Sequence, residues 1–506
     1  MNKKYIIGYI LTGIALVVVL AVAIVLNNNH TALVTESTSA LDIDNGDLKI
    51  NWSRYSTYEV ALDTLEKPLT ITKSGIYHLT GVANSGITVN AVNGKVKLIL
   101  DNVNILNANG PAINCLAADD LVIELVGENY LEDGTTYATN LGEDVTGAIY
   151  SKGDLTFEGE GTLYLTANYQ DGIVGKDDVK FNSGAYNITA VDDGIRGKDS
   201  VYIVDGDFAI EAKGDAIKST NETKVGKGFV LIENGDINIS AGDDGIHAYN
   251  RIMIQDGNIN IAKSYEGIEA QVVTINGGTV SVVANDDGIN AGGGASANSN
   301  DVGTNGGSPN GNPFDADTNC IVAINGGRIY VNVAGDGIDS NGYVHFSGGT
   351  VVVDGPTNNG NGALDAGAGI TMTGGTVVAV GASGMAETLS SSSSVHNVSI
   401  YFDSTLQAGT TVTIENAEGE TVISHTSAKT FNHMAAGTEL FKVGETYTIY
   451  VDGDEYQSFT IADVVTVVGN SNMNFNQGPG QNMVPGQGQM QNSDQAPSGM
   501  TPGGRR

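Results

Sequence analysis

Apolar and polar residues alternate with period two through most of this chain, in short runs separated by Gly-rich turns. Two stretches show the form: Val272-Val273-Thr274-Ile275-Asn276-Gly277-Gly278-Thr279-Val280-Ser281-Val282, and Ile321-Val322-Ala323-Ile324-Asn325-Gly326-Gly327-Arg328-Ile329-Tyr330-Val331. This alternation predicts half-buried strands. The Gly-Gly pairs at 277–278, 326–327, 348–349 and 374–375 predict one turn per unit. After the N-terminal stretch, no segment long enough for a helix carries a 3.6-residue period.

A motif recurs with the strands. An acid, then Gly or Ala, then Ile stands at Asp171-Gly172-Ile173, Asp193-Gly194-Ile195, Asp215-Ala216-Ile217, Asp244-Gly245-Ile246, Glu266-Gly267-Ile268, Asp287-Gly288-Ile289 and Asp336-Gly337-Ile338. The isoleucines are spaced by 22, 22, 29, 22, 21 and 49 residues. The two long intervals hold a polar run, Asn221 to Gly228, and a Gly/Asn/Ser-rich insertion at 292–318; without them both return to about 22. Weaker copies flank the series at Ala148-Ile149 and Ala363-Leu364-Asp365.

So short a unit cannot enclose a core and must stack on its neighbours. Propeller blades need ~40 residues or more. Leucine-rich repeats need Leu at fixed places, and calcium-binding nonapeptide arrays have too short a period. An all-β parallel β-helix remains, with ~22-residue coils rising ~4.8 Å each. The expected organisation is a membrane-spanning segment at 1–27, a linker at 28–50, the β-helix at 51–394, a small β cap at 395–466 and a low-complexity tail at 467–506. Lys3 and Lys4 precede an uncharged stretch from Tyr5 to Leu26, which is long enough to span a bilayer. It reads as an uncleaved signal anchor, with a cleaved signal peptide as the alternative. Either places the remainder outside the cytosol, on the extracellular face of the membrane or secreted.

Stacking would bring Asp171, Asp193, Asp215, Asp244, Glu266, Asp287 and Asp336 into one file, with Asp192, Asp243 and Asp286 beside it. Like charges ~5 Å apart repel by roughly 3 kcal/mol per pair at an effective dielectric near 20. Ca²⁺, which takes hard oxygen ligands, would offset this; the alternative is that each acid caps a turn by accepting backbone N–H bonds. Zn²⁺ fits poorly, because Cys115 and Cys320 are the only thiols and no paired His spacing occurs. These two cysteines are expected to be buried thiols rather than a disulfide.

Arg196 and Lys218 follow the motif Ile in neighbouring coils, and His247 follows in the next. They balance the acid file, hold an acidic sugar, or supply the base of a calcium-assisted β-elimination. Tyr169, Tyr249 and Tyr265 are candidates for stacking on sugar rings, against a plain packing role. The net charge of -34 excludes nucleic acid as a partner, since phosphates would be repelled, and suits a cation or a sugar polymer.

One ordered series carries a resemblance. It comprises Ser74-Gly75-Ile76-Tyr77-His78-Leu79-Thr80-Gly81, Val96 to Asn102, Ala148-Ile149-Tyr150-Ser151-Lys152-Gly153-Asp154-Leu155, Gly159-Glu160-Gly161-Thr162-Leu163 and Asp193-Gly194-Ile195-Arg196-Gly197-Lys198-Asp199. Ala408-Gly409-Thr410 and Gly444-Glu445-Thr446-Tyr447 complete it. The series resembles the clostridial polysaccharide-binding β-helix family, the carbohydrate-binding domain-containing proteins, over roughly three quarters of the chain. The resemblance implies a right-handed parallel β-helix related to calcium-dependent pectate lyases, bound calcium, and adhesion to cellulose or pectin-like acidic polymers without cleavage. A lyase acting by β-elimination, with Lys218 or Arg196 as base, is the alternative function; a purely structural surface adhesin is the second. Asp192, Asp193, Asp243, Asp244 and Lys218 match the lyase residue types but not a lyase motif. The 292–318 insertion and the tail depart from the family pattern.

Overall fold

A computed structural model describes Leu41 and residues 50–142, 144–292 and 316–469. The anchor, most of the linker, the core of the insertion and the tail lie outside the described residues. Among those described, no helix is long and apolar enough to cross a membrane.

The described chain is all-β, and three strands of each repeat pair in parallel with their counterparts one repeat on. The motif strands form one file: Asp171–Gly175, Ile195–Gly197, Ile217–Ser219, the start of Ile246–Ile254, the start of Ile268–Ile275, Ile289–Ala291 and Ile338–Ser340. A second file runs through Asp178–Phe181, Ser200–Ile203 and Phe229–Ile232, and a third through Ala185–Ala190, Asp207–Ala212 and Asp236–Ser240. The register follows the motif. Ile149, Ile173, Ile195, Ile217, Ile246, Ile268, Ile289 and Ile338 are successive partners, and Leu364 joins through a bridge to Ile338. Registry holds across both long intervals: Ile217 partners Ile246, and Ile289 partners Ile338.

Alternation explains the core. Inward positions carry Ile, Val, Leu and Phe, almost all fully buried. Their neighbours face water along the third file, whereas along the second file Tyr202, Phe229, Leu231 and Met253 are buried as well and form a separate cluster. Stacked rungs place like on like: Phe157 lies flat on Phe181 at 4.9 Å, and Tyr186 on Phe208 at 4.8 Å. Burying one such side chain contributes ~1.5–3 kcal/mol. The motif Gly follows from the same crowding. A Cβ on Gly194 would stand 2.6 Å from both the Ala216 carbonyl and Ile210 Cγ2. At the Gly-Gly turn, Gly278 and Gly327 take φ of +81° and +84°, a region side chains disfavour.

The parallel stacking ends at Thr376–Gly381, which pairs antiparallel with Phe431–Thr438. That strand also pairs with Asn397–Leu406, and a four-stranded antiparallel sheet with its own core covers this end. Cys115 and Cys320 are buried and unbridged.

Candidate functional site

Ile at the motif position points inward, so the residue directly after it faces outward. The acid two residues before the Ile stands at the start of the motif strand or in the turn that leads into it. Here the acids meet in register. Asp171, Asp193, Asp215 and Asp244 are buried, Glu266, Asp287 and Asp336 half-buried. The companion acids Asp192 and Asp243 are exposed and Asp286 half-exposed.

Five of the motif carboxylates, all but Asp244 and Glu266, cap the next rung. The Asp193 N–H donates to Asp171 Oδ1 (3.2 Å), the Asp215 N–H to Asp193 Oδ1 (3.0 Å) and the Asp244 N–H to Asp215 Oδ1 (2.9 Å). Further along, the Asp336 N–H donates to Asp287 Oδ1 (2.6 Å) and the Gly362 N–H to Asp336 Oδ1 (2.5 Å). A carboxylate that accepts such bonds is stabilised in its charged form. Turn-capping therefore offsets part of the repulsion that registry creates.

The second oxygen of each early acid faces a cation in the column after Ile. Arg196 Nη2 reaches Asp171 Oδ2 (2.6 Å) and Thr146 Oγ1 (2.7 Å), and Arg196 Nη1 lies 3.8 Å from Asp193 Oδ2. Lys218 Nζ pairs with Asp215 Oδ2 and stands 3.9 Å from Asp193 Oδ1. His247 Nδ1 lies 2.9 Å from Asp244 Oδ2 and 3.5 Å from Glu269 Oε2. Burial works against the Lys218 ammonium, but Asp215 and Asp193 outweigh it and hold Lys218 protonated. The same contest against burial, won by Asp244 and Glu269, raises the His247 imidazole. Burial and the neighbouring carboxylates raise Asp193 to about 7 despite its cations.

From Glu266 onward the arrangement changes. The column that begins Arg196, Lys218, His247 continues in register as Glu269, Asn290 and Asp339. Burial and then Glu269 and Asp244 push Glu266 up to about 9. Burial and like charges hold Asp287 at about 7, Asp339 at about 8 and Glu387 at about 7. The capping ladder also breaks here. Glu266 turns aside and accepts from Asn290 Nδ2 (3.0 Å), and among the described residues no N–H bond links it to Asp244 or Asp287.

Among the described residues four groups converge closely enough to hold a metal ion. Asp154, Asp177 and Asp178 lie off the acid file, with Lys227 on Asp178, and donor chemistry separates the three on the file. Asp171, Asp192 and Asp193 lie within reach of one another, but the Arg196 guanidinium reaches into that space. Asp215, Asp244 and His247 converge beside the Lys218 ammonium. Asp244, Glu266 and Glu269 converge as three carboxylates with no Lys or Arg between them, His247 Nδ1 standing 2.9 Å from Asp244 Oδ2 and 3.5 Å from Glu269 Oε2. Beside them Asn290 Oδ1 is a shielded acceptor with no donor. A point built as a Cβ on Gly292 lies 3.4 Å from Glu269 Oε1 and 3.6 Å from Asn290 Oδ1, so both oxygens face one space. A hard cation such as Ca²⁺ fits this set and satisfies the orphaned oxygen.

The tyrosines divide. Tyr169 is half-buried and stacked on Tyr137 at 4.2 Å, and Tyr249 is half-buried. Tyr265 is 48% exposed, and its hydroxyl bonds Asp286, which together with that charge raises it to about 12. Glu269, Asn290, Asp339 and Glu387 were not singled out from sequence. The first three directly follow a motif Ile, the position that drew notice to Arg196 and Lys218, so the signal was present.

Comparison with known proteins adds a family likeness. Residues 65–311 match the profile described as carbohydrate-binding domain-containing protein. A carbohydrate-binding domain-containing protein of Acetivibrio thermocellus is 32% identical over 135 residues, which is 26% of this chain and 47% of the relative. The chain thus spans about half the length of that curated relative. A solved structure of a polysaccharide lyase-like protein from C. thermocellum, a gadolinium derivative, is 29% identical. It covers 44% of this chain and 92% of its own, with a TM-score of 0.39.

Proposed function

We propose that this is an extracytoplasmic polysaccharide-binding protein, built as a right-handed parallel β-helix, whose binding face is completed by calcium held among Asp244, Glu266, Glu269 and Asn290. The likeness over 65–311 supports the sugar partner. The register of successive motif strands supports the coil architecture. Lys3, Lys4 and the apolar Tyr5 to Leu26 stretch support anchoring at the outer face of a membrane. One observation carries the calcium reading: the capping ladder breaks at Glu266, where three carboxylates and the orphaned Asn290 Oδ1 share one space. Bound calcium supplies positive charge at a face that otherwise repels acidic polymers.

The role is adhesion without cleavage. Lys218 is held protonated between Asp215 and Asp193, and Arg196 is tied to Asp171 and Thr146, so neither is set to take a proton from a sugar. The test is a pull-down on insoluble cellulose and on pectin, with and without a calcium chelator, followed by absorbance for unsaturated uronates. Retention that weakens with chelator and leaves no new absorbance is expected. New unsaturated ends would replace adhesion with lyase activity, and no retention on any glycan would leave a structural surface role.

A further inference from the structure

Lys152, Lys176 and Lys198 follow Ser151, Gly175 and Gly197, which are successive partners in the motif file. The three lysines therefore stand on consecutive rungs. With Arg196, Tyr150 and Thr220 they line a groove of about 550 Å³. Its lining carries four cationic side chains and one carboxylate, Asp144, in a chain with 24 basic and 58 acidic residues. This local reversal of sign is unlike the rest of the face.

The charge is not consumed internally. Lys152 and Lys198 are exposed and Lys176 half-buried. Among the described residues no carboxylate lies in ion-pair reach of any of the three. Of the acids beside them, Asp199 accepts from Lys224 Nζ (2.6 Å) and Asn221 Nδ2 (2.5 Å), Asp178 accepts from Lys227 Nζ (3.0 Å), and Asp177 is hydrogen-bonded to Asp199. Like charges on adjacent rungs, ~4.8 Å apart at the backbone, repel one another. A ligand that brings anions at a similar repeat relieves that repulsion.

We infer that this groove seats an acidic sugar chain, a polyuronate, with Lys152, Lys176 and Lys198 meeting carboxylates of successive residues. The inference rests on the polysaccharide-binding reading above, takes the acidic polymer already among its candidates, and adds the place and the residues of contact. A uronate chain fits because it carries one carboxylate per ring along a linear backbone. Contacts made by ammonium groups weaken with salt.

The test is calorimetric binding of soluble polygalacturonate to the full chain in calcium buffer, with a soluble neutral glucan and dextran sulfate alongside. The triple variant Lys152→Gln/Lys176→Gln/Lys198→Gln is expected to bind polygalacturonate roughly 10- to 100-fold more weakly. Its glucan affinity should not move. The Lys→Arg triple variant should keep the affinity, and this arm holds if the Gln variant fails to fold. Wild-type affinity for polygalacturonate should fall as ionic strength rises from about 0.01 M to about 0.15 M. Unchanged affinity in the Gln variant, or loss of affinity in a folded Arg variant, overturns the groove. Tighter binding of dextran sulfate than of polygalacturonate overturns the carboxylate class. Wild-type binding to glucan alone overturns the groove and leaves the polysaccharide reading intact; binding to none of the polymers overturns both.

Discussion

One file of acids is handled in two ways along its length. From Asp171 to Asp215 every carboxylate caps the next rung, and from Asp171 to Asp244 each faces Arg196, Lys218 or His247. From Glu266 to Glu387 the same column offers Glu269, Asn290 and Asp339, and burial together with like charges pushes the acids upward. The backbone is the same stack in both halves, so the fold does not dictate how the charge is met. One residue per rung does. The first half carries its own counterions, and the second is left to take them from solution.

Removing an internal counterion should break the first half. Lys218→Met leaves Asp193 and Asp215 without their ammonium, and loss of one partner from a buried pair costs about 3 kcal/mol. Chemical denaturation in the presence of calcium should show that loss, because calcium does not replace a cation held at Asp215. A loss of similar size that calcium fully restores would show that the two halves are interchangeable.

Removing calcium should break the second half. Ligand at 100 times its Kd stabilises by ~2.7 kcal/mol, so chelation should lower Tm by several degrees. The effect carries a pH signature. Glu266 at about 9, Asp339 at about 8 and Asp287 at about 7 stand above the ~4 of an unfolded chain. The folded state thus binds more protons between those values, and its stability falls as pH rises from about 4 to about 9. In chelator, Tm should drop steadily between pH 5 and pH 9, and calcium should flatten the curve at its alkaline end. A chelated protein whose Tm rises across that range would contradict the uncompensated second half.

The smallest change sharpens the contrast by its sign. Asp339→Asn removes one carboxylate from the crowd around Asp287, Asp336 and Asp365. In chelator at pH 8 it should stabilise the protein by on the order of 1 kcal/mol, whereas most substitutions destabilise. A calorimetric scan checks it; destabilisation would mean that Asp339 serves a contact beyond repulsion.

Much of the stack was legible beforehand because registry is one-dimensional. Once the polar run and the insertion are set aside, counting residues between isoleucines places Ile173 on Ile195 and Ile289 on Ile338, as the pairing has it. Even the weak copies at Ile149 and Leu364 fall in line. What each carboxylate does was less accessible. Spacing cannot tell that Asp171 Oδ1 accepts the Asp193 N–H while Oδ2 turns to Arg196. Those are choices of rotamer and distance. Sequence left charge balance, sugar binding and catalysis open to Lys218, in that order, and its clamp between two aspartates favours the first. The Lys152, Lys176 and Lys198 groove was less legible, because its lysines stand three residues past the motif Ile and recur on only three rungs.

The reversal of direction at Phe431–Thr438 has a consequence for assembly. A tower of parallel rungs is a template on which another molecule's first rung might continue indefinitely. The final rung, Thr376–Gly381, instead gives its free edge to a strand running the other way, and that strand is overlaid by a separate small sheet. Fibre growth from this end is thereby blocked, which lets a long, regular ladder stay a discrete particle when crowded beside its own copies.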